Sequence, residues 1–267
     1  MPYKLGRLSA PHDDRNFLAA KYMTELAPPP PTCDYMTKVP QWPLYLNAGD
    51  GAVGDCTIAS SAHQIGGWTY NAQGAEVILA GADILQAYHD VSGYTPDDPA
   101  SDKGAVLPAV LKYWRKVGIG GHKIYAFVEV DHDNLTEVKQ AINTFGSVHV
   151  GVDLPRSAKA QVGEMVWDLV EGPEGEAGSW GGHAIDVAAY SEDSFTCATW
   201  GLLQKMTNAF WSAYVVEAFA IISMDWFKDG VTPLGFDLTA LQSDLATLAV
   251  PIIENRNRGC LSRFGLA

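Results

Sequence analysis

The sequence predicts an α+β protein. Three observations carry that reading: apolar residues recur at helical spacing through much of residues 56–120, alternating strand-like runs begin after residue 120, and the tail beyond 236 returns to helical spacing. At 267 residues, with 47% hydrophobic and 10% aromatic side chains, the chain has apolar mass for one large domain or two packed lobes.

Residues 1–45 read as an extended, proline-rich N-terminal arm, because PPPP at 28–31 and prolines at 40 and 43 remove amide donors and fix φ. The main domain spans residues 46–235, with a helical lobe over about 46–120 and a β lobe over about 121–235. In the helical lobe, TIASSAHQIGGWTY has few breakers before Gly66 and predicts a buried helix from about Thr57 to Ile65 or Tyr70. GADILQAYHDVSG puts Ile84, Leu85 and Tyr88 on one helical face, and AVLPAVLKYWRKVGIGG predicts a third helix closed by glycines.

In the β lobe, HKIYAFVEVDH alternates as a strand, and DNLTEVKQAINTFG opens on an Asp or Asn cap with Leu135, Val138 and Ile142 on one side. SVHVGVDL is another strand. Pro155 to Trp180 reads as a long loop containing GPEGEAGSWGG. GGHAIDVAAYS and SFTCATWG then form a hairpin across Glu192-Asp193. WSAYVVEAFAIIS is a strand pair or a helix and strand, and residues 236–267 form a C-terminal helical tail with Leu238, Leu241, Leu245 and Leu248 at helical intervals.

Eighteen Lys and Arg face 31 Asp and Glu, a net charge of −13 that repels nucleic acid and anionic membranes. Neither is expected as a partner. The opening residues lack the apolar centre of a signal peptide and no run of 18 apolar residues follows, so a soluble protein, cytoplasmic or virion-associated, is expected. The four cysteines, Cys33, Cys56, Cys197 and Cys260, have neither CxxC spacing nor a matching His pair, which predicts free thiols in a reducing compartment. His122, His132 and His149 have no regular relation, and GDGAVG lacks the Lys and Ser or Thr of a phosphate loop, so no metal or cofactor is expected.

Chemistry concentrates at Cys56. A thiol in the first turn of a helix meets unpaired backbone N–H groups and the positive end of the helix dipole, which favour thiolate. Gly51 and Gly54 let the preceding loop bring its own N–H groups close. The base would be His183, 127 positions downstream at the head of a strand after two glycines, so that each lobe supplies one partner of a cleft. His63, two helical turns beyond Cys56, reads as packing.

These segments resemble, in the right order, those of papain-like (C1) cysteine peptidases, in particular bacterial and phage members without a secretory leader. YKLGRLSAPHDDRNF resembles the opening arm, GDGAVGDCTIASSAH the nucleophile block, and AVLPAVLKYWRKVGI the left-lobe helix. DNLTEVKQAINTFGSVHVGVDL resembles the segment crossing between lobes, and GGHAIDVAAYSEDSFTCATWG the histidine strand and its hairpin, so that the likeness covers most of residues 3–201. The resemblance implies a two-lobed fold, a helical left lobe packed on an antiparallel β-sheet or barrel-like right lobe. It puts Cys56 on the nucleophile, His183 on the base, and Trp200 and Gly201 on the Trp-Gly closing the hairpin. Gly54, Asp55, Trp180, Gly182 and Trp200 would line the cleft.

Two positions depart from the pattern. Asp50 stands where the family has its oxyanion glutamine, and Ala198 where it has the asparagine that orients the histidine. Losing one oxyanion donor costs about 10²- to 10³-fold in rate. Asn47 is the alternative oxyanion donor, and Thr199 or Asn208 the alternative orienter. The expected function is hydrolysis of peptide bonds in a peptide or protein substrate by a Cys56 thiolate and a His183 imidazolium. The alternatives are a catalytically impaired papain-fold binding or assembly protein with a partner in a phage particle or surface complex, and a Cys/His amidase or cell-wall hydrolase. With 55 residues before Cys56, no full inhibitory pro-segment is expected, but the arm is expected to cross the cleft, so that removing residues 1–32 raises the reactivity of Cys56.

Overall fold

A computed structural model describes residues 2–11, 13, 16–23, 27–227 and 237–249. The chain divides into two units, Met1–Phe236 and Asp237–Ala267. The described part of the second is the helix Leu238–Ala249, over the leucine spacing that predicts it, and Asp237 Oδ1 accepts from the Ala240 N–H at 2.8 Å. The rest of the expected tail, Cys260 included, lies outside the described residues.

The first unit opens with β1 (Arg7–Leu8), whose partner is β3 (Ala105–Val106), and with β2 (Cys33–Asp34). Helix α1 (Cys56–Gln73) runs through the interior. It is longer than its glycines suggest, because Gly66 and Gly67 are buried contact points: a Cβ at Gly66 would lie 3.3 Å from the Val77 carbonyl oxygen, and one at Gly67 3.5 Å from the Trp42 ring. Helices α2 (Gly81–Ser92) and α3 (Leu107–Lys116) pack on it, and Trp114 of α3 stacks on Trp68 of α1 with ring centroids 5.8 Å apart. Pro108 at the start of α3 costs nothing, since its missing N–H would be unpaired in a first turn anyway.

The β lobe comprises β4 (Ile124–Glu129), β5 (Val148–Leu154), β6 (Gly181–Tyr190), β7 (Ser194–Thr199), β8 (Leu202–Thr207) and β9 (Val215–Ser223). They form an antiparallel sheet in the order β4-β9-β5-β6-β7-β8, with β2 added on β6. Helix α4 (Leu135–Phe145), capped where Asn134 accepts from the Glu137 N–H at 3.3 Å, packs on the sheet. Two segments differ from expectation, and a third resolves into one of its two expected forms. The Pro155–Trp180 loop contains a short helix, α5 (Arg156–Gln161), held where the Trp167 indole donates to the Ala158 carbonyl. LLQKMT forms strand β8, which an interrupted polar pattern hides, and WSAYVVEAFAIIS spans the helix α6 (Asn208–Tyr214) and strand β9. The N-terminal arm is not only an outer strap: Tyr22 and Met36 are fully buried, and residues 3–8 run between the lobes.

Candidate active site

Helix α1 starts at Cys56 because the Asp55 carbonyl accepts from both the Ile58 and Ala59 N–H groups, at 2.7 and 3.0 Å. The loop before it is tied by Asn47, whose Nδ2 donates to the Val53 carbonyl and to Asp55 Oδ1 at 3.1 and 3.0 Å. The Gly54 N–H is held by Asp102, which also accepts from Tyr88 Oη. Cys56 is buried, and the backbone N–H groups of Ala184 and Gly6 lie near enough to its sulfur to favour the thiolate against the larger effect of burial. The first belongs to the residue after His183. Thus the α1 N-terminus meets the head of β6.

His183 is held from two sides. Nε2 shares a 2.7 Å hydrogen bond with Thr199 Oγ1, and the Trp200 indole stacks on the imidazole with centroids 4.2 Å apart and planes 16° from parallel. Nδ1 is buried and has no hydrogen-bond partner among the described residues. Thr199 and Leu202 are paired across β7 and β8, leaving Trp200-Gly201 as a two-residue turn with φ of 47° and 79°. A turn of this kind requires positive φ at both positions, comfortable for glycine and costly for tryptophan. That strained turn puts the indole on the imidazole.

The groove between these elements is filled by the chain's own arm. Lys4 donates its N–H to the Asn47 carbonyl, Gly49 donates to Pro2, and the Trp200 indole donates to the Lys4 carbonyl at 3.0 Å. Tyr3 packs on Trp200 and Trp180. Gly6 passes so close to Gly54 that a Cβ on it would collide with the Gly54 carbonyl, and a Cβ on Gly182 would collide with the carbonyl of Arg7. Arg7 is buried between Glu217, at 2.8 Å, and Asp153. Burial under this segment sets the electrostatics. The Cys56 thiol is pushed up to about 12, mainly by desolvation with a contribution from Asp55, and His183 is pushed down to about 3, again by desolvation with Arg7 and His63 adding to it. Both groups are neutral at pH 7 in this covered state, unlike the ion pair that the sequence predicts. Asp55 is itself held well above its ordinary value by burial.

The structure therefore brings together Cys56, His183, Gly54, Asp55, Asn47, Gly182, Thr199, Trp180 and Trp200. Two candidates do not belong. Asp50 is solvent-exposed in the loop between Gly49 and Gly51, and Asn47, although buried beside Asp55, spends both hydrogens of its amide on the Val53 carbonyl and Asp55 Oδ1, so it is a loop tie and not the oxyanion donor the sequence suggests. Asn208 is at the far end of β7, where it donates to the Glu192 carbonyl at 3.0 Å; Ser194 pairs with Thr207 there, five residues and roughly 16 Å from Thr199. The β7–β8 turn carries the chain away from the imidazole before Asn208 is reached. Ala198 is core and faces Asp186 in the sheet register. His63 bonds the Pro43 carbonyl between Trp42 and Tyr45, in keeping with packing. Among the described residues no group of three or more His, Cys, Asp or Glu is placed to hold a metal ion, and no helix is long and apolar enough to cross a membrane. Sequence reasoning missed Arg7, Asp153 and Glu217, whose partnerships span 146 and 210 positions.

The fold has clear precedents. Xylellain, a cysteine protease from Xylella fastidiosa, superposes with a TM-score of 0.61 at 16% identity, over 84% of this chain and 98% of its own. A digestive procathepsin L2 proteinase from the larval midgut of Tenebrio molitor gives 0.56 at 14% identity over 82% and 78%, and the Carica candamarcensis cysteine protease CMS1MS2, in complex with E-64, gives 0.53 at 17% over 73% and 99%. These likenesses show a two-lobed α+β, papain-like fold. No protein-family model and no curated protein matches the chain.

Proposed function

We propose that the chain is a papain-type cysteine peptidase held latent by its own N-terminal segment. One observation carries this reading: the sulfur at the start of α1 lies beside the head of β6 at Ala184, next to His183, whose Nε2 is fixed by Thr199 and whose face is covered by Trp200. With Nε2–H donating to Thr199, Nδ1 bears the lone pair and is the base. Once residues 3–8 leave, water and substrate replace them, both pKa values relax, and the Cys56 proton passes to Nδ1. The thiolate then attacks a peptide carbonyl while first-turn N–H groups of α1 stabilise the oxyanion. His183 returns the proton to the leaving amine, and a water activated by the same ring hydrolyses the thioester. The covering segment escapes attack because it presents an N–H to the sulfur: the Gly6 carbonyl is engaged by the Ala105 N–H at 2.8 Å.

The test uses an epoxide thiol trap and peptide mapping on the full chain. Gly6→Val, which forces the segment off Gly54, is expected to label at Cys56 at least about tenfold faster than wild type, a gain of the size a displaced local contact gives. Partly exposed Cys33 serves as an internal control for trap activity. Labelling of Cys33 but not Cys56 in folded Gly6→Val would refute the reading. A second reading, a papain-fold binding or assembly module, draws support from the depth at which Arg7 is built into the cleft; it requires that Gly6→Val hydrolyse no peptide.

A further inference from the structure

Arg7 is the most deeply held residue of the covering segment, and its site is more than a pair of surface charges. The guanidinium side chain is 2% exposed and donates to carboxylates on two different strands, Nη1 to Glu217 of β9 and Nη2 to Asp153 of β5. Gly151 stands opposite Glu217 in the β5–β9 register, and a Cβ there would lie 2.6 Å from Glu217 Cγ and 2.8 Å from Arg7 Cδ. The absent side chain is what lets an arginine stem lie on the sheet. A cavity of about 270 Å³, lined in part by Glu129, Asp153, Glu217 and Phe219, continues past the guanidinium toward solvent. Arg7 Nε has no partner among the described residues, so the site's polar contacts are spent on the two terminal nitrogens.

From this geometry we infer that the cleft selects substrates carrying an arginine, whose guanidinium takes the place that Arg7 occupies in the latent protein, with Glu217 and Asp153 as its receptors. The inference rests on reading the groove as a substrate cleft. Its reasoning is local. Gly6 lies at the Cys56 sulfur and the Arg7 carbonyl lies on Gly182, so the arginine site is one residue along the backbone track from the point of attack. When the segment leaves, two carboxylates on the sheet, with Glu129 nearby, are left without their cation. Two acceptors on separate strands fit the two terminal nitrogens of a planar guanidinium, whereas a lysine ammonium is a single point charge. Burial holds the Glu217 carboxyl above its ordinary range despite Arg7, so a cation that restores both contacts is favoured over water.

The experiment reads binding without relying on hydrolysis. In the full chain, Cys56→Ala with Arg7→Met keeps the apolar stem and empties the guanidinium site; N-acetyl-arginine amide, the citrulline counterpart and the lysine counterpart are titrated by calorimetry, with circular dichroism verifying the fold. The arginine compound is expected to bind about thirtyfold or more tightly than citrulline, the loss that accompanies an unpaired buried charge, and the preference should vanish when Glu217→Gln and Asp153→Asn are added. If Arg7→Met does not fold, Arg7→Gln in the same background, which also removes the cation, serves. Equal binding of arginine and citrulline compounds, or a preference that survives removal of both carboxylates, would overturn the inference. The peptidase reading fails separately: hydrolysis by Gly6→Val without arginine preference sinks only this inference, and arginine preference without any hydrolysis sinks only the other.

Discussion

Helix α1 meets the sheet through two hydroxyl- or thiol-bearing residues, and the contrast between those meetings shows what a site needs. At its N-terminus Cys56 lies against the strand of His183. One turn further, Ser60 Oγ and His149 Nε2 share a 2.6 Å hydrogen bond, again a nucleophile-type side chain against an imidazole. Both histidines are buried and both are pushed down to about 3 by desolvation. They differ in what buries them. His149 is covered by the core of the fold, with α1 on one side and the sheet on the other, whereas His183 lies under Trp200, which Tyr3 and the Lys4 carbonyl hold, and next to Gly182, on which the Arg7 carbonyl rests, so that residues 3–8 complete its cover. Chemistry is possible only where the cover can come off, so the pairing of residue types does not by itself define a site.

Substitution at the two rings should separate them most sharply. His183→Ala in a Gly6→Val background is expected to slow epoxide labelling of Cys56 by about 10³-fold or more, the scale on which loss of a base disables a nucleophile, with thermal stability nearly unchanged. His149→Ala should do the reverse: a cavity and an orphaned Ser60 hydroxyl lower stability by about 2–4 kcal/mol, while labelling of the folded fraction stays within about threefold. A thermal melt and a labelling time course check both.

The removable cover also predicts a response to acid. His183 has a depressed pKa only while covered, so the covered state is fully favoured by this group above about pH 6.5, the ordinary histidine value, and loses that preference as pH falls toward 3. Between pH 7 and pH 5 the uncovered fraction should rise by about 25-fold from this ring alone. Of the neighbours, Arg7 does not titrate, Cys56, pushed up to about 12, loosens the cover only above its ordinary range, and Glu217, held above its ordinary value by burial in the covered state, opposes the histidine because the covered state binds that proton more tightly. His63, pushed down to about 4, lies beside the same ring and is buried by core packing. A tryptophan fluorescence transition between pH 7 and 5 that His183→Gln lacks is the expected result; identical curves would show that the ring is not coupled to the segment.

The smallest effect concerns the orienting contact. Thr199→Val removes the partner of Nε2 but keeps the stacked Trp200, and a loss of about 10- to 100-fold in Cys56 labelling is expected in the uncovered variant, with a changed pH profile, since a freed ring samples both tautomers. A profile identical in shape to that of the parent would assign Thr199 a packing role.

What the sequence disclosed and what it withheld follow from range. Cys56 and His183 were legible because each sits where two local patterns meet, a glycine loop with a helix and a glycine pair with a strand. Helical spacing marked α2, α3 and α4 within a few residues, and alternation marked β4 and β5. Strand β8 and helix α5 were hidden, the one by polar residues at buried positions such as Gln204, the other by its brevity. Nothing local in YKLGRLSAPHDDRNF distinguishes Arg7; only contacts across 146 and 210 positions give it meaning. Asn208 appeared plausible because sequence distance does not reveal that a tight turn at Trp200-Gly201 reverses the chain first.

Tethering has a quantitative outcome. Because residues 3–8 belong to the same polypeptide as the groove, they compete at an effective concentration on the order of millimolar, whatever the dilution of the protein. A diffusing peptide of equal intrinsic affinity therefore gains entry only when its own abundance approaches that level or when an added contact compensates. The chain thus sets an internal threshold below which weak or scarce ligands are turned away, independent of how much of the protein is present.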